Sequence, residues 1–154
     1  MLPQRMVSRQ QAEEILAACK EGVLSLITPE GMPYGVPVNH FYNREEQSLY
    51  FHCAKDGKKM ECLLHSPYVS FCAYLPPTIG EERFTTYYQS AIVTGTAHIL
   101  TDDAEKEKAL RTFTMALAPK GASRMDAAIK GGLHAVAVVK IIIDTLSGKA
   151  NPPA

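Results

Sequence analysis

The 154-residue chain lacks net charge, long apolar runs and paired cysteines. Its sixteen basic and sixteen acidic side chains cancel, so no strong overall field attracts nucleic acid or an anionic membrane. No segment reaches the roughly 20 apolar residues of a membrane helix, and residues 1–9 lack the apolar core of a signal peptide. The four cysteines are scattered, which favours reduced thiols in the cytoplasm. We therefore expect a cytoplasmic protein with no nucleic-acid partner and no membrane partner.

Several catalytic motifs are also missing. The spacing Gly-x-x-x-x-Gly-Lys-Ser/Thr of a P-loop is absent, and so is a Gly-x-Gly-x-x-Gly fingerprint after the first strand. The sequence contains no nucleophile elbow and supports no Ser-His-Asp arrangement. Cys62 and His65 are the only close pair with metal-ligand spacing, and no second pair matches them. We therefore expect no metal site.

Short apolar and β-branched segments separated by turn residues predict a mainly β fold in a single domain, residues 1–154. Pro37 cannot donate a ladder hydrogen bond, so its strand is expected at an edge or a bulge. Gly95 predicts a bulge or bend of the kind that curves a sheet into a barrel. Hairpin-joined strands with few helices between them predict a six-stranded antiparallel split β-barrel with flanking helices. The predicted strands cover 23–28, 34–42, 49–53, 68–75, 84–100 and 134–144, and residues 146–154 are expected to be a mobile tail.

The sequence predicts four helical segments, and two of them begin with a capping residue. Ser8 and Gln11 form a capping-box pattern that begins a helix over 9–21. Asp102, with Glu105 three residues later, begins another, whose buried side is expected to include Leu110, Phe113 and Leu117. A further one or two helical turns are expected over 123–130, after a break at Pro119.

The remaining helix start is the most informative part of the chain. The strand 49–53 runs into a short break, and a helix then opens with Gly57, Lys58 and Lys59. A helix N-terminus carries free backbone N–H groups and a partial positive charge, and glycine lets a ligand approach closely. Two lysines there are locally unfavourable unless an anion binds. The stretch predicts a phosphate site, although two solvated surface lysines are the alternative interpretation.

Two other features have both structural and functional interpretations. His52 ends the strand just before the proposed phosphate site; it is either a packed histidine or a group that influences chemistry. The run Phe84, Tyr87 and Tyr88, followed by Gln89 and Ser90, either packs one face of a strand or lines a planar ligand or a subunit interface.

Three segments, with a closing piece at 145–149, resemble the flavin-binding split barrels related to pyridoxamine 5′-phosphate oxidase, in particular the branch that includes nitroimidazole-resistance proteins. The resemblance spans residues 5–149, and the strand–His-x-Ala-x-x-Gly-x-Lys piece is its most specific part. The matching segments are residues 31–39 (GMPYGVPVN), 49–59 (LYFHCAKDGKK) and 88–97 (YQSAIVTGTA).

The resemblance implies a homodimer with FMN at the subunit interface. It places the FMN phosphate on Gly57, Lys58 and Lys59, and His52 near the flavin and the reducible substrate. The remaining residues that it implies for the flavin are Val38 and Asn39 along the ring edge, the backbone of Phe51, His52, Cys53 and Ala54, and Gln89 and Ser90 from the following strand or the partner subunit.

The same resemblance implies an FMN-dependent oxidoreductase. FMN would take hydride from NAD(P)H or another donor and reduce a small acceptor, for example a nitroaromatic one. The C-terminal arginine–histidine substrate motif of true pyridoxamine phosphate oxidases is absent, which argues against pyridoxamine phosphate as substrate. A flavin-binding or sensing protein without turnover is an alternative, and a haem-binding split barrel is a third.

Overall fold

A computed structural model describes residues 3–152, and its centre is one antiparallel sheet of eight strands. The strand order is β2-β1-β5-β7-β8-β4-β3, with β6 paired to β7. The predicted class, mainly antiparallel β with flanking helices, is confirmed. The strands are β1 (Glu21–Ile27), β2 (Pro33–Asn39), β3 (Phe41–Asn43), β4 (Ser48–Ala54), β5 (Tyr68–Tyr74), β6 (Thr78–Gly80), β7 (Thr85–Ile99) and β8 (Val136–Asn151).

Four α-helices surround the sheet: α1 (Arg9–Ala18), α2 (Lys58–His65), α3 (Asp103–Leu117) and α4 (Met125–Gly132). Short 3-10 turns cover Pro3–Arg5, Glu81–Arg83 and Pro119–Arg124. In the part of the chain that the structure describes, no helix combines the length and the apolar character needed to cross a membrane.

The predicted helix caps form as the sequence indicated. The Ser8 hydroxyl accepts a hydrogen bond from the Gln11 N–H, and the Gln11 side chain accepts one from the Ser8 N–H, which completes the capping box of α1. The Asp102 carboxylate accepts from the Glu105 N–H at 2.9 Å and caps α3.

The sheet curls until its two outer regions approach each other without closing. β2 and β4 are in contact, yet no hydrogen-bonded ladder joins them in the described residues. Alternate side chains of β1, β5 and β7 point into the enclosed space, where Leu24, Phe71 and Val93 are at most 1% exposed. Pro37 lies in β2, the first strand of the order, so the prediction that it occupies an edge is confirmed.

The bend predicted at Gly95 is present. The register between β7 and β8 shifts between Thr94 and Gly95, as in a β-bulge. A Cβ at Gly95 would lie 2.3 Å from the Ile142 carbonyl oxygen. Only glycine therefore lets β7 approach β8 closely enough to bend there.

Two strands were not expected, which is why the sheet has eight strands and not six. The predicted strand over 34–42 is divided at His40, whose N–H bonds the Lys20 carbonyl and whose ring Nε2 lies 3.0 Å from the Leu16 carbonyl oxygen. These two hydrogen bonds turn His40 toward α1 and separate β3 from β2. The second unexpected strand, β6, lies in a proline-containing segment predicted as loop and pairs with residues 85–87 of β7.

Two further expectations are wrong. Residues 146–151 are not a tail, because they continue β8 and pair with β7 as far as Asn151 opposite Tyr88. Pro152 follows the strand, and residues 153–154 lie outside the described residues. The side of α3 expected to be buried is only half-buried at Leu110, Phe113 and Leu117. The buried residue of α3 is Lys106, whose ammonium donates to the Leu133 carbonyl and to Asp103.

Replacing Gly95 with alanine is expected to destabilise the protein by about 1–3 kcal/mol, because the new methyl group collides with backbone that cannot move freely. Urea denaturation measures the change. Gly131→Ala is the matched control, since Gly131 lies in α4 and a methyl group added there would meet no heavy atom within 4 Å. The control is expected to leave stability unchanged or raise it by up to about 1 kcal/mol. Equal stability of the two variants would contradict the role given to Gly95.

Candidate functional site

The gap between β2 and β4 is the candidate site. β3 pairs only with Ser48, Leu49 and Tyr50, so the edge of β4 beyond Tyr50 has no strand partner in the described chain. The chain leaves β4 at Ala54 and begins α2 at Lys58, beside this free edge. The gap is therefore bordered by two strand edges and by the start of a helix.

The start of α2 is open and depends on glycine. Gly57 is the N-cap residue, with a φ of 99°, and no side chain caps the helix. A Cβ at Gly57 would meet no heavy atom within 4 Å, so the approach to the first N–H groups of the helix is unobstructed. Uncapped N–H groups at a helix start favour an anion. The observed geometry therefore fits a bound phosphate.

The side chains of the two lysines at this helix start point to different sides of the gap. The Lys58 ammonium lies 5.0 Å from the centre of the Tyr34 ring on β2. Lys59 is half-buried near Cys53 of β4. Burial raises the pKa of the Cys53 thiol, and the positive charge of Lys59 opposes that rise. Neither ammonium has a carboxylate within 4 Å among residues 3–152. The pair thus places one positive charge on each side of the gap, available to an anion.

The β4 residues predicted for the site point in two directions. Phe51 is 1% exposed and packs in the core, so only its backbone could reach a ligand. Cys53 also faces inward, with its sulfur 3.8 Å from the Met60 sulfur. Burial raises the pKa of the Cys53 thiol, which keeps it protonated and poorly nucleophilic. His52 and Ala54 lie on the opposite, exposed face of the strand.

His52 is held against α3. Its ring packs edge-to-face on Phe113, with 4.7 Å between ring centres. Desolvation lowers the pKa of His52, so the imidazole is neutral at neutral pH. A neutral imidazole offers one N–H donor and one nitrogen acceptor. Backbone pairing places His52 opposite Val138 of β8.

The other predicted residues lie on β2 and β7. Val38 lies in one row of paired residues across the sheet, with Gly22, Ala73 and Ala91. Asn39 follows Val38 and Ser90 precedes Ala91, so both lie next to this row at the same end of the sheet. The Asn39 amide donates to the Lys20 carbonyl.

Gln89 and Ser90 are not brought close to His52 within one chain. Ser90 pairs with Lys149, whereas His52 pairs with Val138, eleven positions earlier in β8. Eleven residues of strand span up to about 36 Å. The structure therefore gathers the β4 and α2 residues on one side of the gap, places Val38 and Asn39 on β2 across it, and leaves Gln89 and Ser90 in a distant part of the sheet.

Sequence reasoning missed a cavity of about 210 Å³ between α3 and the sheet. The cavity lies beside Tyr50, on the same face of β4 as His52. Tyr50 precedes His52 by two residues, so the two side chains leave the strand about 7 Å apart. The signal in the sequence is the polar helix stripe formed by Glu105, Lys108 and Thr112. No three His, Cys, Asp or Glu side chains in the described residues lie close enough together to hold a metal ion.

Comparison with known proteins places this arrangement in a family. The sequence resembles no curated protein. Its fold resembles a candidate 5-nitroimidazole antibiotic resistance protein from Bacteroides thetaiotaomicron, with 25% identity, a TM-score of 0.78 and coverage of 94% of this chain and 85% of that one.

Two further structures share the fold. A flavocytochrome from Azotobacter vinelandii is 23% identical, with a TM-score of 0.78 and coverage of 96% and 70%. An FAD-binding protein from Mesorhizobium loti is 23% identical, with a TM-score of 0.66 and coverage of 96% and 97%.

The family evidence covers nearly the whole sequence. Residues 8–150 match the family described as pyridoxamine 5′-phosphate oxidase. The matched residues include β2, β4 and α2, which border the gap. The whole candidate site therefore lies within the part of the chain that matches the family. The chain is a member of the pyridoxamine 5′-phosphate oxidase family.

Proposed function

We propose that this protein is an FMN-dependent oxidoreductase that reduces a small acceptor, for example a nitroaromatic compound. The observation that carries the proposal is the open start of α2, where Gly57, Lys58 and Lys59 face a gap between two strand edges. Family membership and the similarity to a candidate nitroimidazole resistance protein support it. FMN, when bound, supplies the redox chemistry, and the chain's residues bind and orient it.

The phosphate is the best-defined part of the proposed site. The first N–H groups of α2 are open to a ligand at Gly57, and the ammonium groups of Lys58 and Lys59 border the gap from the β2 side and the β4 side. Each charge-assisted hydrogen bond to a phosphate contributes about 1.5–3 kcal/mol. The free backbone edge of β4 from Phe51 to Ala54 then offers N–H and C=O groups to the polar rim of the flavin ring.

The purified protein is expected to take up FMN, and the double variant K58A/K59A is expected to bind FMN at least about 100-fold more weakly. Riboflavin lacks the phosphate, so its affinity is expected to change by less than about threefold. Titration of FMN and riboflavin, followed by flavin fluorescence, measures both effects.

K120A/K130A is the matched control, because it removes the same charge from exposed positions outside α2. It is expected to bind both flavins like the wild type. Equal losses for FMN and riboflavin in K58A/K59A would contradict the phosphate assignment. A wild-type protein that takes up neither FMN nor FAD would end the flavin proposal, and a haem spectrum would support the alternative cofactor.

His52 is proposed to act on the acceptor, because its side chain leaves β4 on the exposed face and beside the free edge. Its neutral imidazole can donate a hydrogen bond to a polar acceptor group and can exchange a proton with it. Phe113 fixes the ring orientation from α3.

His52→Ala is expected to lower acceptor turnover about 100-fold while leaving FMN affinity within about threefold of wild type. Steady-state kinetics with a nitroaromatic acceptor and a flavin titration measure the two quantities. His52→Gln keeps a donor but cannot titrate, so it is expected to lose the pH dependence that the wild type shows below about pH 6.5. Phe113→Leu, which keeps the imidazole, is expected to retain most of the turnover. Turnover unchanged in His52→Ala would leave His52 a structural residue.

We propose a homodimer in which the uncovered face of the sheet packs on the same face of a second copy. One row of side chains on this face crosses five strands at Pro37, Val23, Cys72, Ile92 and Ser147. The next row is small and flat, with Gly35, Ser25, Ser70, Thr94 and Thr145.

This face has exposed apolar side chains that can pack on a second copy of itself. Val23, Ile27, Tyr68 and Ile92 are each at least 37% exposed on it. Exposed apolar side chains grouped on one face mark an interface. A second copy is also the proposed source of Gln89 and Ser90, which lie far from His52 in their own chain.

Ile92→Glu is expected to convert the dimer to a monomer, because it places a charge in the centre of the apolar row. Light scattering after gel filtration measures the mass. Met115→Glu is the matched control, since Met115 is an exposed apolar residue of α3, away from this face, and this variant is expected to remain dimeric. A monomeric wild type, or a dimeric Ile92→Glu variant, would contradict the proposed interface.

A flavin-binding or sensing role without turnover is the second candidate. The half-buried, protonated Cys53 and the outward-facing His52 are the groups that the described part of β4 offers for acid–base chemistry in the gap. Anaerobic reduction by NADPH and reoxidation by nitroaromatic acceptors distinguish this role from an oxidoreductase.

A further inference from the structure

The cavity beneath α3 has an unusual wall. Glu105, Lys108, Ala109 and Thr112 follow the spacing of one helical face and line it together. A helix normally turns an apolar stripe toward a sheet. The half-buried side chains of α3 that pack on the sheet, among them Leu110 and Phe113, lie on a neighbouring stripe, whereas the stripe that lines the cavity has two charges and two small side chains. The space that larger residues would fill there is left as a cavity of about 210 Å³.

The opposite wall is aromatic. Phe41 and Tyr50 lie on the sheet side with ring centres 6.2 Å apart, and Leu100 adds an apolar surface. Tyr50 is held in place, since its hydroxyl donates to Glu46 and the Lys140 ammonium lies 5.5 Å from its ring centre. The wall opposite α3 is therefore a fixed aromatic surface that favours stacking with an apolar or aromatic group.

The charges around the cavity fall into two sets. Glu46 and Lys140 form an ion pair, with 2.6 Å between ammonium and carboxylate, and the charge of Lys108 also acts on the Glu46 carboxylate from farther away. Glu105 and Lys108 are one helical turn apart, yet neither forms an ion pair with any described residue. One carboxylate and one ammonium are thus available to a ligand at neighbouring points of the same wall.

We propose that this cavity binds a small zwitterion of the amino-acid type with an apolar or aromatic side group. The ligand's ammonium pairs with Glu105, its carboxylate pairs with Lys108, and its side group lies on Phe41 and Tyr50. The volume corresponds to roughly seven water molecules, which is room for one such molecule. The cavity is distinct from the proposed phosphate site, because it shares no residue with Gly57, Lys58 and Lys59, and it lies one pleat from His52 on the outer face of β4.

Three related probes test the charge assignment on the full-length protein: L-phenylalanine, phenethylamine, which has only the ammonium, and 3-phenylpropionate, which has only the carboxylate. Amide chemical shifts are followed by NMR during titration, with and without added FMN. L-Phenylalanine is expected to bind saturably and to shift the amides of Tyr50, Lys108 and Thr112. Each single-charge probe is expected to bind about tenfold more weakly.

Two neutralising variants assign each charge. Glu105→Gln is expected to weaken L-phenylalanine and phenethylamine about tenfold and to leave 3-phenylpropionate unchanged. Lys108→Gln is expected to weaken L-phenylalanine and 3-phenylpropionate and to leave phenethylamine unchanged. Both positions are exposed, so both variants are expected to fold like the wild type.

Ala109→Leu fills the cavity from the helix wall and is expected to abolish binding of all three probes. Ala104→Leu, at an exposed position near the start of the same helix, is the control for added bulk and is expected to bind like the wild type. Absence of saturable L-phenylalanine binding, or shifts that map to another surface, would overturn the proposal. So would unchanged binding in Ala109→Leu, or equal effects of Glu105→Gln and Lys108→Gln on the two single-charge probes.

Discussion

The ladder between β7 and β8 is the constraint on which the rest of the structure depends. It runs from Tyr88 opposite Asn151 to Ile99 opposite Val139, and it joins the half of the sheet that contains β5, β1 and β2 to the half that contains β4 and β3. The bulge at Gly95 bends it in the middle. Because one bent ladder joins both halves, β2 at one end of the strand order and β4 near the other approach each other. The gap between them is a consequence of that bend.

Local signals predicted much of this arrangement. The caps at Ser8 and Asp102, the edge position of Pro37 and the bulge at Gly95 each depend on the chemistry of one or two residues, so they could be recognised from the sequence. The division of β2 from β3 could not, because it results from the hydrogen bonds of His40 to Lys20 and to Leu16 of α1, which are tertiary contacts. The extension of β8 through polar residues to Asn151 was missed for a similar reason, since β7 supplies its pairing partner from a distant part of the chain.

The candidate site shows the same limit. Gly57, Lys58 and Lys59 are contiguous, and the sequence indicated both the helix start and its affinity for an anion. The separation of Gln89 and Ser90 from His52 depends on the register along β8, which no local pattern reveals. The polar residues of α3 can be read from the sequence. Their place in the wall of a cavity cannot, because the cavity forms only when the helix packs beside Tyr50 of the sheet.

The prolines of β2 have a consequence for the gap itself. β2 pairs regularly with β1, and a residue without an N–H can occupy only the positions whose backbone points away from that partner. Pro33 and Pro37 therefore stand on the outward edge, where Gly35 is the residue between them that can still donate. An edge that has lost two of its donors offers β4 fewer hydrogen bonds than a complete strand edge would. The covalent structure of β2 therefore weakens any ladder to β4 and favours an open sheet over a continuous barrel.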